Sequence, residues 1–230
     1  MAATMDRATL ASKELHSASH KYGASSNYFK PNTMKSLLTI EKALSQAQKV
    51  EAIGSFLDHG TGQGGLVQLI KNNHHLNIEV HGYDPCVAQF SEKPSQSFDI
   101  VSSIDVLEHI SRENLSNTLF EISELTRKFF FFCIDLLPAS KKLLDGRNTH
   151  ILLAPPEWWV QQIKHYFPIM NCIEVGATER GDRHPMHLFG CATHSMKHFD
   201  SMNEFLKGVE IANRQWILNS NGVLSAIPFQ

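Results

Sequence analysis

The segment Phe56-Leu57-Asp58-His59-Gly60-Thr61-Gly62-Gln63-Gly64-Gly65 narrows what this chain can fold into more than any other. A short apolar run carries Asp58 and breaks into glycines at alternate positions, and a helical pattern follows over 64–73. Glycines there let the backbone turn tightly and let a ligand lie against bare main chain. The helix start behind them supplies N–H groups without intrahelical partners and a positive potential. A dinucleotide turn would read GxGxxG, with a pyrophosphate over the helix. Here the spacing is GxGxG, and Asp58 beside it suits an ammonium group better than a pyrophosphate. A second acid stands in Tyr83-Asp84-Pro85, at the end of the next expected strand. A carboxylate so placed can accept hydrogen bonds from a pair of ribose hydroxyls.

Around this loop the hydrophobic pattern switches repeatedly between strand and helix. Strands are expected over 55–58, 78–83, 98–103 and 128–134, with helices over 64–73, 112–126 and 156–166. Pro156 is well placed to open the last of these helices. Two late strands, 172–176 and 187–192, read as a hairpin that adds antiparallel strands. Such alternation predicts an α/β sandwich with a mostly parallel sheet. A helix over 33–50 precedes it, and a last amphipathic helix is expected over 201–215. The division is therefore a helical extension or lid over 1–51, a core over 52–194, and a C-terminal helix and tail over 195–230.

The glycine loop with its acid, and the acid after the second strand, resemble motif I and its partner in the class I S-adenosylmethionine-dependent methyltransferases. The resemblance implies a three-layer Rossmann-like sandwich with S-adenosylmethionine as cofactor. It implies that Asp58 faces the methionine amino end and that Gly60, Gly62 and Gly64 form the floor beneath the cofactor. Asp84 would take the ribose, and Asp105 would border the same ligand. One departure is plain: 85–97 is too short to hold a helix, a third strand and another helix. The family's adenine-reading acid therefore has no counterpart, and Val87 and Phe90 are the apolar candidates to meet the base.

The strand over 98–103 runs into Ile104-Asp105-Val106-Leu107-Glu108-His109. This segment is similar to the Leu-Glu-His stretch of many methyltransferases, among them ubiquinone-pathway O-methyltransferases and small-RNA 2′-O-methyltransferases. That resemblance implies a divalent-metal site for Mg²⁺ or Mn²⁺ built from Asp105, Glu108, His109 and the later His150. One turn of helix would bring the first three to one side, and carboxylates with imidazoles suit such an ion. Without an ion, His109 is the candidate general base, with Asp105 and Glu108 as catalytic partners. On the acceptor side, Arg147, His150 and Trp158 are the expected contacts. Trp158 and Trp159 diverge by about 100° on a helix, so one is expected in the core and one near the pocket rim.

Composition sets the remaining bounds. The chain has 230 residues, 42% hydrophobic and 19% charged, which fits a globular α/β protein. A net charge of −2 gives no bulk pull toward nucleic acid or a membrane, so a small-molecule or sugar-like acceptor is expected. Four scattered cysteines, with no CxxC pair, argue against a zinc knuckle. With no apolar leader and no stretch of membrane-spanning length, a cytoplasmic protein is expected. Two rival classes stay open from the residues alone. One is a non-catalytic module that binds the cofactor; the other is a nicotinamide-dependent oxidoreductase on the same platform.

Overall fold

Phe129 to Ile134 offer no polar side chain, and all are fully buried. A strand covered on both faces must be apolar at successive positions, and this one forms the middle of a large sheet. The computed structural model describes residues 39–143, 145–179, 182–209, 216–219 and 224–225. The strands are β1 (Ser55–His59), β2 (Glu79–Tyr83), β3 (Phe98–Ile104), β4 (Thr126–Asp135), β5 (Ile169–Glu179), β6 (Asp182–Thr193), β7 (Trp216–Asn219) and β8 (Leu224–Ser225). They form one sheet in the order β2-β1-β3-β4-β6-β5-β7-β8. The first four are parallel to one another, whereas β6 runs antiparallel to both β4 and β5.

The helices are α1 (Ile40–Gln48), α2 (Gly65–Asn72), α3 (Arg112–Leu125), α4 (Pro156–Lys164) and α5 (Phe199–Gly208). Helices α1, α2 and α5 bury Ile40, Leu44, Leu66, Ile70, Met202 and Phe205 on the face that carries Phe56, Ile100, Phe129 and Phe131. On the other face, α3 and α4 bury Leu115, Leu119, Trp159 and Ile163 against Leu57, Val101, Phe130 and Phe132. This is the expected three-layer Rossmann-like α/β sandwich. The chain moves outward from β1 to β2 and then returns to the other side of β1 with β3. Strand order thus reverses between β1 and β3, which opens a crevice at their carboxyl ends.

As the short spacing of 85–97 required, the stretch between β2 and β3 holds only a single 3₁₀ turn, Ala88–Phe90, and no strand of its own. The C-terminal elements do differ from expectation. Helix α5 stops at Gly208 rather than continuing to 215, and the tail adds β7 and β8 to the sheet beyond β5. A Cβ at Gly208 would lie 2.6 Å from Ala43 Cα, so that glycine lets α5 close on α1. Helix α1 lies within the helix expected over 33–50, and its Ile40, Ala43, Leu44 and Ala47 have no exposed surface and belong to the core. The proposed lid ahead of it lies outside the described residues.

At the amino edge of the sheet, polar groups fasten α5 to the strands. Glu51 accepts from His198 Nδ1 at 2.9 Å and from Ser201 Oγ at 2.7 Å, and pairs with Lys128 Nζ at 3.3 Å. Burial alone pushes the Glu51 carboxyl up, but the Ser201 hydroxyl, His198 and Lys128 together outweigh it and hold the group below its usual range. A carboxylate with a depressed folded pKa stabilises the fold above its unfolded pKa, and this is lost as pH falls through the folded value. At pH 6 the wild type is therefore expected to melt above Glu51→Gln. The gap should close as pH falls below about 4, as followed by circular dichroism melts.

Candidate active site

Asp58 sits near the end of β1 with no exposed surface. In the parallel register it lies between Gly82 of β2 and Ser102 of β3. The Ser102 hydroxyl donates to Asp58 Oδ1 at 3.1 Å, and the Gly82 side has no side chain. The carboxylate is therefore held in orientation by Ser102, and the space that a side chain on Gly82 would take is filled by Thr61, 2.9 Å from that position.

The loop after β1 turns because its glycines adopt positive φ: 78° at Gly60, 58° at Gly62 and 78° at Gly64. Its amides are tied to the end of β2. Tyr83 O accepts from Gly60 N at 2.7 Å and from Thr61 N at 3.1 Å, while Gly62 N donates to Asp84 Oδ2 at 2.9 Å. The other Asp84 oxygen accepts from Cys86 N, also at 2.9 Å. Asp84 thus braces the glycine loop, a role the sequence did not reveal. A carboxylate has about four lone-pair positions, so two bound amides leave room for hydroxyl donors.

The three glycines face different surroundings. A Cβ on Gly60 would lie 2.7 Å from Val106 Cγ1, and one on Gly64 would lie 2.8 Å from Phe90 Cε2. Gly62 has nothing within 4 Å of that position. Val106 and Phe90 therefore wall the loop at its two ends, and its open face is at Gly62.

The Asp-x-x-Glu-His segment corrects the expectation of a helical turn. Asp105 adopts φ 52°, the only positive φ among the described non-glycine residues, and a 3₁₀ turn spans Leu107–His109. Asp105 N donates to Cys133 O at 3.0 Å, and the Cys133 thiol approaches Asp105 Oδ1 at 3.6 Å. The left-handed step at Asp105 separates it from the 3₁₀ turn that carries Glu108 and His109. Ligand atoms of Glu108, His109 and His150 lie within 4.8 Å of one another, and Asp105 is not among this group.

Two main-chain carbonyls orient the imidazoles. His109 Nδ1 meets Thr149 O at 2.8 Å, and His150 Nδ1 meets Leu137 O at 2.6 Å. A carbonyl can only accept, so each neutral ring carries its hydrogen on Nδ1 and its lone pair on Nε2. Glu108 is fully buried, with Oε1 accepting from Asp135 N at 3.2 Å and Oε2 without a hydrogen-bond partner among the described residues. Burial pushes its carboxyl well above the usual range, and neighbouring Asp105 pushes the same way. A buried carboxyl with one oxygen lacking a partner among the described residues, grouped with two imidazoles, is a donor set that fits a divalent cation.

Two residues near this cluster went unnoticed in the sequence. Asp135, at the end of β4, pairs in register with His187 of β6 at 3.8 Å. The available signal was an acid ending an otherwise apolar run; seeing His187 beside it required the antiparallel register. Of the expected acceptor contacts, His150 is in the cluster. Arg147 is exposed and closed onto Asp145 at 2.6 Å within its own turn. Trp158 is half-buried with the Arg112 guanidinium 5.2 Å over its ring, while Trp159 is the fully buried one of the pair.

A family model described as a methyltransferase domain matches residues 20–168. Among solved structures, the chain resembles the plantazolicin methyltransferase BamL in complex with a triazolic desmethylPZN analog and SAH. The two share 15% identity, with 82% of this chain and 96% of that one covered and a TM-score of 0.56. It also resembles the 1,6-didemethyltoxoflavin-N1-methyltransferase of Burkholderia thailandensis with bound 1,6-didemethyltoxoflavin and S-adenosylhomocysteine. There the identity is 13%, the coverage 84% and 92%, and the TM-score 0.50. The DhpI–SAH complex is similar at 15% identity, 81% and 97% coverage, and a TM-score of 0.50. No curated protein matches the sequence. These likenesses fix the fold; no helix among the described residues is long and apolar enough to cross a membrane.

The loop's geometry makes unequal demands on its glycines. Gly60→Ala combines a left-handed backbone with a clash against the buried Val106 side chain and should cost about 2–4 kcal/mol. Gly62→Ala meets open space and should cost only about 1 kcal/mol. Urea denaturation of the two variants checks the order.

Proposed function

The chain belongs to the methyltransferase-domain family, and from that premise we propose that it transfers the methyl group of S-adenosylmethionine to oxygen or nitrogen of a small-molecule acceptor. The observation that carries the reading is the crevice between β1 and β3. There the buried Asp58 and the glycine loop stand beside the Glu108, His109 and His150 cluster. S-adenosylmethionine supplies a methyl group on a positively charged sulfur, which an acceptor lone pair can take in line. Asp58 suits the ammonium of the methionine end, through a charge-assisted contact of about 1.5–3 kcal/mol. The open face at Gly62 suits a ligand lying on bare backbone, and the unused lone pairs of Asp84 suit ribose hydroxyls.

On the acceptor side, His109 is the group to receive the proton that an acceptor hydroxyl or amine loses. Its Nδ1–H is committed to Thr149 O, which leaves Nε2 as the basic atom. His150 is set the same way by Leu137 O. If an ion is held there, Glu108, His109 and His150 are its ligands, with Asp105 outside the set. Mg²⁺ or Mn²⁺ would then lower the pKa of an acceptor hydroxyl. The rim favours a small acceptor with an apolar body over a sugar-like one. Leu137 and Leu153 are large apolar side chains left 37% and 43% exposed. Leu137 adjoins the cluster through its main chain, where Leu137 O meets His150, and Leu153 follows Leu152, whose N donates to Glu108 O.

The test begins with binding. Titration calorimetry should detect S-adenosylmethionine and S-adenosylhomocysteine, with Asp58→Ala weakening both about tenfold or more, and should detect no nicotinamide dinucleotide. If neither methyl donor nor its product binds the folded protein, the reading is wrong. Binding without transfer to any of a broad panel of phenols, amines and hydroxylated aromatics would favour the non-catalytic module. For the ion, paramagnetic resonance of Mn²⁺ should report a site lost in Glu108→Gln and in His150→Ala. No Mn²⁺ site, together with transfer that survives EDTA, would leave His109 as base without a metal.

A further inference from the structure

We propose that Asp135 and His187 form a second acceptor subsite, which takes a neutral hydroxyl or amine on the body of the acceptor, apart from the atom that is methylated. This rests on the acceptor-side reading given above and adds two residues to it. Asp135 ends β4, and His187 stands opposite it on β6 in the antiparallel register. Both sit on paired strands rather than on a loop, so the sheet sets their spacing. In the strand order β2-β1-β3-β4-β6 the pair lies on the far side of β3 from the glycine loop. An acceptor that meets the cluster after β3 and extends away from the cofactor therefore runs toward it. Main chain joins the pair to the cluster. Asp135 N donates to Glu108 Oε1 at 3.2 Å, Leu137 N donates to Asp135 Oδ1 at 2.9 Å, and Leu137 O meets His150 Nδ1 at 2.6 Å. Leu137, with its exposed apolar side chain, is thus the residue that fastens the two together.

The pair stands open. His187 Nε2 and Asp135 Oδ2 are 3.8 Å apart, which is beyond hydrogen-bond distance. Neither ring nitrogen of His187 has a hydrogen-bond partner among the described residues, and neither does Asp135 Oδ2. The His187 and Asp135 side chains keep 17% and 27% of their surface exposed, so a small group can reach both. The gap between them admits one polar atom at hydrogen-bond distance from each. Asp135 Oδ2 accepts, and it favours the His187 tautomer that carries its hydrogen on Nε2. A bridging hydroxyl oxygen accepts from Nε2 and gives its own hydrogen to Oδ2, and a neutral amine does the same. A methoxy oxygen can accept from Nε2 but has no hydrogen for the carboxylate.

The test uses the full-length protein in EDTA, so that no ion bridges the probe. The probes are the three benzenediols and the matching methoxyphenols, in which a methyl group replaces one hydroxyl hydrogen. Affinities are read by NMR titration of the histidine ring signals, with those of His187 assigned by their loss in His187→Phe. In the wild type the best benzenediol should move the His187 signals. It should bind about tenfold more tightly than its methoxyphenol, as a hydrogen bond to a charged group implies. Asp135→Asn keeps the shape but puts an N–H donor where Oδ2 stood, and His187→Phe removes the imidazole. Each should erase the preference for hydroxyl over methoxy, with thermal melts to confirm folding. Should His187→Phe not fold, Asp135→Asn decides alone. No preference in the wild type, a preference that survives either substitution, or unmoved His187 signals would overturn the proposal. The probes are titrated without S-adenosylhomocysteine. A wild type that fails to bind that ligand therefore overturns the cradle reading, and the probe result still decides the subsite.

Discussion

The end of β2 and the loop after β1 behave as one piece of covalent structure because the second hangs its amides on the first. Tyr83 O takes the N–H groups of Gly60 and Thr61, and Asp84 takes that of Gly62. Buried amides need partners, and a loop with three positive-φ glycines has no ladder of its own to supply them. Without the β2 carbonyl and carboxylate, the turn would not keep the shape that leaves Gly62 open. The same tie means that Asp84 cannot swing toward a ligand without releasing an amide. A nucleoside must come to the carboxylate where it stands, and the loop is already shaped when it arrives.

The opposite wall of the crevice is set by a single unfavourable dihedral. Asp105 at φ 52° is a conformation that non-glycine residues rarely hold, although aspartate tolerates it better than most. It lets β3 end abruptly, sends Val106 over Gly60, and delivers Glu108 and His109 on a short 3₁₀ turn. The long excursion after β4 then returns to supply the carbonyls of Leu137 and Thr149. This excursion is itself fastened: Asn148 bonds both the amide and the carbonyl of Ala139, and its Oδ1 also accepts from His150 N. Carbonyl acceptors fix tautomers, so the backbone sets which nitrogen of each ring carries the hydrogen. The loop's contribution to chemistry is orientation as much as recognition.

How much of this was legible depended on the range of the interaction. Strands and helices with clear periodicity could be read because burial on one or both faces leaves its mark residue by residue, as in Phe129 to Ile134. The glycine loop could be read because only glycine fits those dihedrals. Asp84 as a brace could not, since a turn acid before proline looks the same whether it binds a ligand or an amide. The helical turn expected at Asp105 failed because spacing carries no information about a left-handed step. His187 beside Asp135, and β7 and β8 beyond β5, depend on strand register and pairing across the sheet. Arg147 had the composition of an acceptor contact, but a partner two residues away in sequence, Asp145, takes its charge.

One pattern runs through all four parallel strands. Each ends at or beside an aspartate: Asp58 in β1, Asp84 after β2, Asp105 after β3 and Asp135 in β4. At the amino edge the charges are of mixed sign, with Arg127 and Lys128 paired to Asp99 and Glu51. Acids gathered along one edge of a low-dielectric sheet create a field that attracts cations and repels anions. For the proposed donor this matters twice, because it arrives with a positive sulfur and a positive ammonium and leaves with the sulfur neutral. The edge therefore favours the charged reactant over its product, and it disfavours an acceptor that carries phosphate or carboxylate near the reacting atom. Burial is the main reason Glu108 is pushed toward its neutral form, and the same field adds to it through Asp105 and, less, Asp135.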